Sequence, residues 1–258
     1  MAKTIMDVSK HQGVIDWAKV KASGQIDGVM LRAMGNSAEG KPSKPYTDPQ
    51  FARNYAECKR LGIPCGVYGY FKATNKAQAD KELAYFRKLL TGRRFELPVA
   101  VDIEDARYRR NTRELNSTLA LEFMRIVGEA GYQTMLYTNR DFLQNHYDDE
   151  MLGDIPIWFA LYRNPRSDEN VPQDWANIIF WQWNDGGSVS GIRGAVSQDV
   201  SYGEFAEKEL GVGSVVRINP SAEYYFSKGP RIPAWVKNDY DYVVAAATYR
   251  GRPVVKNG

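Results

Sequence analysis

The chain has 258 residues, 43% hydrophobic and 25% charged, with a formal net charge of +3. That length suits one large domain, or a domain of about 200 residues with a small module beside it. The composition is that of a soluble globular protein with a substantial core, and no apolar run approaches the roughly 18 residues that a membrane helix needs.

In chain order, the first half repeats a strand-then-helix rhythm. Met1-Ala2-Lys3 runs straight into an expected strand at 4–8 with no secretory signal, so either synthesis in the cytoplasm or a leader missing from this chain is expected. Further strands are expected at 28–33, 66–71, 98–103 and 133–137, with helices at 17–22, 49–61, 77–90 and 116–130 between them. Asp48-Pro49 has the form of an N-cap followed by proline at the first helical position, and Gly62 and Gly131 read as helix stops. Beyond residue 137 the rhythm changes. Strands are expected at 156–161, 178–183 and 195–200, the last two separated by a Gly/Ser/Asn-rich stretch too short for a crossover helix. Eight strands, the early ones joined by helices and the last three mostly by loops, predict an irregular closed β/α barrel.

A linker at 207–212 then separates the barrel, residues 1–206, from a small all-β module at 213–258. Strand-like segments at 215–218, 224–226 and 242–244 carry the module, and Tyr224, Tyr225 and Trp235 suit its core. Residues 211–258 hold seven Lys or Arg against three Asp or Glu, a surplus of +4 that leaves the remainder at −1. The basic excess belongs to the tail, which suits an anionic polymer; the near-neutral barrel argues against nucleic acid. Asn257-Gly258 is a strong hairpin-turn pair with no strand after it, so a chain cut short of its natural C-terminus is expected.

Cys58 and Cys65 make no disulfide framework and are too few for a cysteine zinc site; they suit small, half-buried thiols. His11 and His146 stand in no metal-ligand motif, so neither metal nor cofactor is implied.

The most informative motif is Asp102-Ile103-Glu104, which ends the apolar run 97–101. Alternation along a strand points both carboxylates the same way, Cα atoms about 6.6 Å apart. In a parallel barrel, chemistry sits where the strands end. Those ends supply Asp7, Asp102, Glu104 and Asp199, with Tyr68, Tyr70, Tyr137, Trp158, Gln182 and Trp183 around them. Carboxylates serve acid–base chemistry at acetal bonds, and sugar rings stack on aromatic faces. Like charges at short range do not all ionise, so Glu104 is expected to keep its proton with Asp7, Asp102 and Asp199 as the surrounding anions. Each aromatic taken singly suits barrel packing as well as a sugar face, and Asp7 or Asp199 alone suits a turn cap as well as catalysis. The basic run 107–113 reads as a solvated loop.

Taken together, Asp-Val-Ser (7–9), Gly-Val-Ile-Asp-Trp (13–17), Gly-Val-Tyr-Gly-Tyr-Phe (66–71), Asp-Ile-Glu (102–104), Leu-Tyr-Thr-Asn (136–139), Ile-Trp-Phe-Ala (157–160), Trp-Gln-Trp (181–183) and Ser-Gln-Asp-Val (197–200) resemble glycoside hydrolase family 25. The resemblance spans about residues 4–206. It implies a (β/α)5β3 barrel and cleavage of the β-1,4 bond from N-acetylmuramic acid to N-acetylglucosamine in bacterial peptidoglycan. Asp7, Asp102, Glu104 and Asp199 match the four family carboxylates. On one reading Asp102 orients the substrate acetamido group while Glu104 protonates the leaving oxygen; the other is direct attack by water with inversion. Tyr68, Tyr70, Tyr137, Trp158, Gln182, Trp183 and His11 fall among the implied substrate contacts. At His11 relatives often carry an aromatic residue, and Asp185 adds an extra carboxylate. The tail resembles the SH3-like wall-binding modules of endolysins. An endolysin is made in the cytoplasm and reaches the wall after release, with no membrane insertion of its own.

Overall fold

The computed structural model describes residues 2–38, 41–163, 172, 177–203, 215–216, 231–232, 242–249 and 252–257. It divides into two compact units, Met1–Phe205 and Ala206–Gly258.

The first unit runs β1 (Lys3–Val8), α1 (Trp17–Ser23), β2 (Gly28–Gly35), β3 (Tyr46–Thr47), α2 (Phe51–Leu61), β4 (Cys65–Tyr70), α3 (Lys76–Leu90), β5 (Val99–Asp102), α4 (Arg113–Glu129), β6 (Thr134–Asn139), α5 (Arg140–Asn145), α6 (Asp149–Leu152), β7 (Ile157–Ala160), β8 (Ile178–Gly187) and β9 (Val196–Ser201). The strands lie in the order β1-β9-β8-β7-β6-β5-β4-β2, and pairing of β1 with β2 closes the ring into an eight-stranded barrel. Neighbours from β1 round through β2 and β4 to β8 are parallel; β9 runs antiparallel to both β8 and β1. The short β8–β9 loop explains the reversal, since a parallel crossover needs a dozen or so residues. The eight expected strands are these eight, with ends displaced by at most four residues.

Alternation divides the strand side chains into two sets. Ile5, Met30, Leu97, Ala100, Met135, Trp158 and Phe180 pack on one another inside the barrel. Their neighbours Met6, Val29, Leu31, Val67, Val99, Val101, Leu136 and Phe159 face outward and pack against Phe51, Leu83, Phe86 and Phe123 of the helices. Strands buried on both faces read as continuous apolar runs, which is how this sequence reads. Gly66 lets the interior pack closely: a Cβ there would stand 2.5 Å from Met30 Sδ and 2.6 Å from the Pro98 carbonyl.

Several details differ from the sequence expectation. The helical step after β6 is carried by the short α5 and α6, whose few apolar residues give no periodic signal. Asp48 does not cap α2. That helix starts from Gln50 without a side-chain cap, while the buried Asp48 carboxylate accepts from Arg32 Nε (2.8 Å), Lys10 N (2.9 Å) and Gln50 N (3.0 Å). The run 107–113 is not simply solvated. Residues Ala106–Arg110 form a 3-10 helix, with Arg107 on Asp105 and the Lys72 carbonyl, Arg109 on Asp141, and Arg113 on the Tyr147 carbonyl. Cys58 and Cys65 are both fully buried and free.

In the second unit β10 (Val215–Val216), β11 (Tyr242–Tyr249) and β12 (Arg252–Asn257) form an antiparallel sheet in that order. Asn257 ends a strand that the sequence reading did not anticipate. The linker 207–212, the strand at 224–226, and Tyr224, Tyr225 and Trp235 lie outside the described residues.

Candidate active site

The interior layer fixes what reaches the barrel mouth, because each residue two positions beyond it faces the same way. Asp7 follows Ile5, Arg32 follows Met30, Tyr68 follows Gly66, Asp102 follows Ala100, Tyr137 follows Met135 and Gln182 follows Phe180. Asp199 arrives differently. Since β9 is antiparallel, its C-terminal end lies at the other end of the barrel. Asp199 reaches the cluster as the register partner of Ile5 and Gln182, not as a strand end.

The four carboxyl groups share one electrostatic field. Burial raises Asp102 well above the usual carboxylate range; the charges of Glu104 and Asp7 push the same way and Arg32 opposes them. Burial likewise raises Asp199, helped by Asp7 and opposed by the Trp158 indole. Asp7 is raised to about 6 by burial, against hydrogen bonds from Gln182 and Ser197 and the charge of Arg32. Burial is the largest influence on all three aspartates and favours their neutral forms. The cost of burying charge outweighs the available donors, and the neighbouring carboxyl groups titrate as a set.

Glu104 lies just beyond β5, at the more open edge of the cluster, and its Oε2 accepts from Asn139 Nδ2 at 2.8 Å. Asn139 is oriented by its other end: its Oδ1 caps α5 by accepting from Phe142 N at 3.1 Å. Capping sets the amide orientation and aims the NH2 at Glu104. Asn139 went unremarked in the sequence, although it closes the Leu-Tyr-Thr-Asn motif.

Gln182 is the hub beneath. It donates to Asp7 Oδ2 (2.7 Å) and accepts from the hydroxyls of Tyr137 (2.9 Å) and Tyr162 (3.2 Å). Only 4% exposed, it holds Asp7 in place and has little surface for a ligand. Trp158 is 1% exposed, so it has no face for a sugar. Instead its Nε1 donates to Asp199 Oδ1 at 2.7 Å, with Tyr68 and Tyr137 packed edge-on against it. Tyr68 and Tyr137 remain partly open at the mouth. Tyr70 turns aside and donates to Asp105 Oδ2 at 3.0 Å. Trp183 is the extra residue of a bulge in β8, Gln182 pairing with Asp199 and Asn184 with Gln198; such bulges re-aim side chains beside active sites. His11 is exposed in the turn Lys10–Gln12, and burial, Arg32 and Lys10 hold it towards the neutral form. It lines a separate surface pocket with Gln12, Val14, Lys19, Gly191 and Arg193.

Two buried cations also escaped the sequence reading. Arg32 carries its charge to Asp7, Asp102 and Tyr68, and its buried Nη2 has no hydrogen-bond partner among the described residues. A single basic residue at the interior parity of β2 was the available signal. Lys72 forms an ion pair with Asp105 (3.1 Å), both side chains fully buried. Among the described residues no group of His, Cys, Asp and Glu is arranged to hold a metal ion.

Fold and site together define a β/α-barrel protein with an acidic, aromatic-edged mouth. The chain belongs to the glycosyl hydrolases family 25, whose profile matches residues 6–192. It is 28% identical over 214 residues to the uncharacterized protein YegX of Escherichia coli K12, covering 81% of this chain and 73% of that one. It is 27% identical over 215 residues to the autolytic lysozyme of Clostridium acetobutylicum, covering 83% of this chain and 59% of the relative. Among solved structures, the modular autolysin LytC of Streptococcus pneumoniae, in complex with a synthetic peptidoglycan ligand, superposes with a TM-score of 0.65 at 28% identity. That match covers 78% of this chain but 47% of LytC, so this chain spans about half the autolysin's length.

Proposed function

We propose that the protein is a peptidoglycan hydrolase, a muramidase that cleaves the β-1,4 bond between N-acetylmuramic acid and N-acetylglucosamine. The observation that carries this reading is the field linking Asp7, Asp102, Glu104 and Asp199 at the mouth of a family 25 barrel. Asp102 is raised partly by the charge of Glu104, so the pair is best served by a single proton. With that proton on Glu104, Asp102 is relieved of its neighbour's charge, and the nearby Arg32 charge favours its anion. The working form is then Glu104 as acid beside an Asp102 anion.

In the reaction Glu104 gives its proton to the leaving glycosidic oxygen. Asp102 holds the N–H of the substrate acetamido group, whose oxygen attacks C1. Glu104, now a carboxylate, takes a proton from the water that opens the resulting ring. Asp7 and Asp199 stabilise positive charge developing at the sugar, Asp7 held by Gln182 and Asp199 by Trp158. Tyr68 and Tyr137 edge the subsite. The same reading takes residues 213–258 as an SH3-like module of endolysin type for an anionic wall polymer, supported by their basic surplus and three antiparallel strands.

Digestion of purified peptidoglycan, followed by borohydride reduction and sugar analysis, tests the bond assignment. Reduced muramic acid is the expected product. Reduced glucosamine would mean the other glycosidic bond is cut, and neither product with wall binding retained would mean a glycan-binding barrel without catalysis.

A further inference from the structure

Beside the carboxylate cluster lies a second polar network that the mechanism does not use, centred on Lys72. This residue follows β4 by two positions and is fully buried. Its ammonium meets Asp105 Oδ2 at 3.1 Å, the Ser37 carbonyl at 3.2 Å, Ser37 Oγ at 3.3 Å and the Ala38 carbonyl at 2.6 Å. One side chain thereby joins the segments that follow β2, β4 and β5 at the barrel mouth. Asp105 is the residue after Glu104. Its Oδ1 accepts from Arg107 N (3.0 Å) and Nε (3.3 Å), and its Oδ2 from Tyr70 OH (3.0 Å). Arg107 also reaches back to the Lys72 carbonyl. On the far side, buried Glu82 accepts from Lys72 N (2.9 Å), Ala73 N (3.2 Å) and Asn36 Nδ2 (3.0 Å), so the Lys72 backbone is held as firmly as its ammonium.

Stability alone is a poor explanation for this arrangement. A buried ion pair is often matched or bettered by apolar residues of similar volume, so its presence points to geometry. The geometry here concerns Glu104, which lies outside any strand, accepts from Asn139 and is joined directly to Asp105 along the chain. We propose that Lys72 is a positioning residue that fixes the Glu104 carboxyl by anchoring Asp105 to Ser37 and Ala38.

This inference rests on the hydrolase reading, and the test separates the two. Wild-type protein, Lys72→Met, Asp105→Asn and the double variant are compared on soluble peptidoglycan fragments for kcat, KM and melting temperature. Misplacing a reacting group by about 1 Å costs up to about a hundredfold, so each single variant is expected to lose roughly ten- to a hundredfold in kcat, with KM within about threefold. The double variant, which removes both members of the fully buried pair and leaves Arg107 its bond to the carbonyl of residue 72, is expected to recover melting temperature in part but not kcat. Wild-type kcat in the double variant would overturn the inference, because Lys72 would then serve only to neutralise Asp105. Should Lys72→Met not fold, Asp105→Asn, which keeps the side-chain shape but removes the charge that holds Lys72, carries the same expectation, and unchanged kcat there overturns it equally. An inactive wild type would instead refute the hydrolase reading.

Discussion

Trp158 and Asp199 form a buried couple, indole Nε1 to carboxylate Oδ1 at 2.7 Å, beneath the barrel mouth. The other carboxylate oxygen has no hydrogen-bond partner among the described residues. Trp158→Phe keeps the aromatic packing and removes the donor, at an expected cost of about 1–3 kcal/mol. The lost donor lowered the pKa of Asp199, so the variant raises it further. A group with a raised folded pKa contributes stability that is lost as pH rises through that pKa, so the deficit should widen across the Asp199 titration, wherever above the ordinary carboxylate range it falls. Urea unfolding over a pH series checks this; a deficit equal at every pH through that titration contradicts the coupling.

Asp7 gives a pH signature of its own. Its folded pKa of about 6 stands above the ordinary 3.8. The folded state therefore holds the proton more tightly, and this contribution is complete below about pH 4 and lost as pH climbs through 6. Asp7→Asn should flatten the stability curve over that window and leave the variant more stable than wild type at pH 7. Urea midpoints at pH 4, 5, 6 and 7 measure the slope, and parallel curves would contradict the assignment.

Asp48 should be among the costliest single losses in the barrel. Its side chain is fully buried and carries three donors, including Arg32 at 2.8 Å. Removing one partner of such a pair leaves an uncompensated charge and costs about 3–5 kcal/mol, which Asp48→Ala should show in chemical denaturation. A loss below about 1 kcal/mol, the level of a surface pair, would contradict the buried-pair account.

Asn139 separates helix capping from catalysis. Aspartate is as good an N-cap as asparagine, so Asn139→Asp should melt within a few degrees of wild type. It lacks the N–H that meets Glu104 and should lose about ten- to a hundredfold in kcat. Full activity in Asn139→Asp would show that this bond does not orient the acid.

The barrel was legible because each strand is an apolar run, and the parity that buries Ile5, Ala100 and Phe180 also aims Asp7, Asp102 and Gln182. Helices α5 and α6 escaped notice because six and four residues hold less than two turns of pattern. Trp158 shows the limit of parity: it places the ring on the interior face but not at a depth, and depth decides between a sugar platform and a pedestal for Asp199. Sequence likewise shows which carboxylates meet but not how little water reaches each, and it is this burial that raises Asp7, Asp102 and Asp199. Lys72 and Asp105 look like ordinary surface residues between Phe71 and Arg107. Their burial depends on Ser37 and Ala38, which are distant in sequence and carry no charge to betray the contact.

The central claim is that Glu104 is the acid of a muramidase. Its most direct test compares wild type, Asp102→Asn and Glu104→Gln on purified peptidoglycan, scoring new reducing ends and new free amines separately. The account predicts muramic-acid reducing ends from wild type, a large loss in Asp102→Asn and the deepest loss in Glu104→Gln, with no free amines from any of the three. Free amines without reducing ends, or undiminished reducing ends from Glu104→Gln, would contradict it.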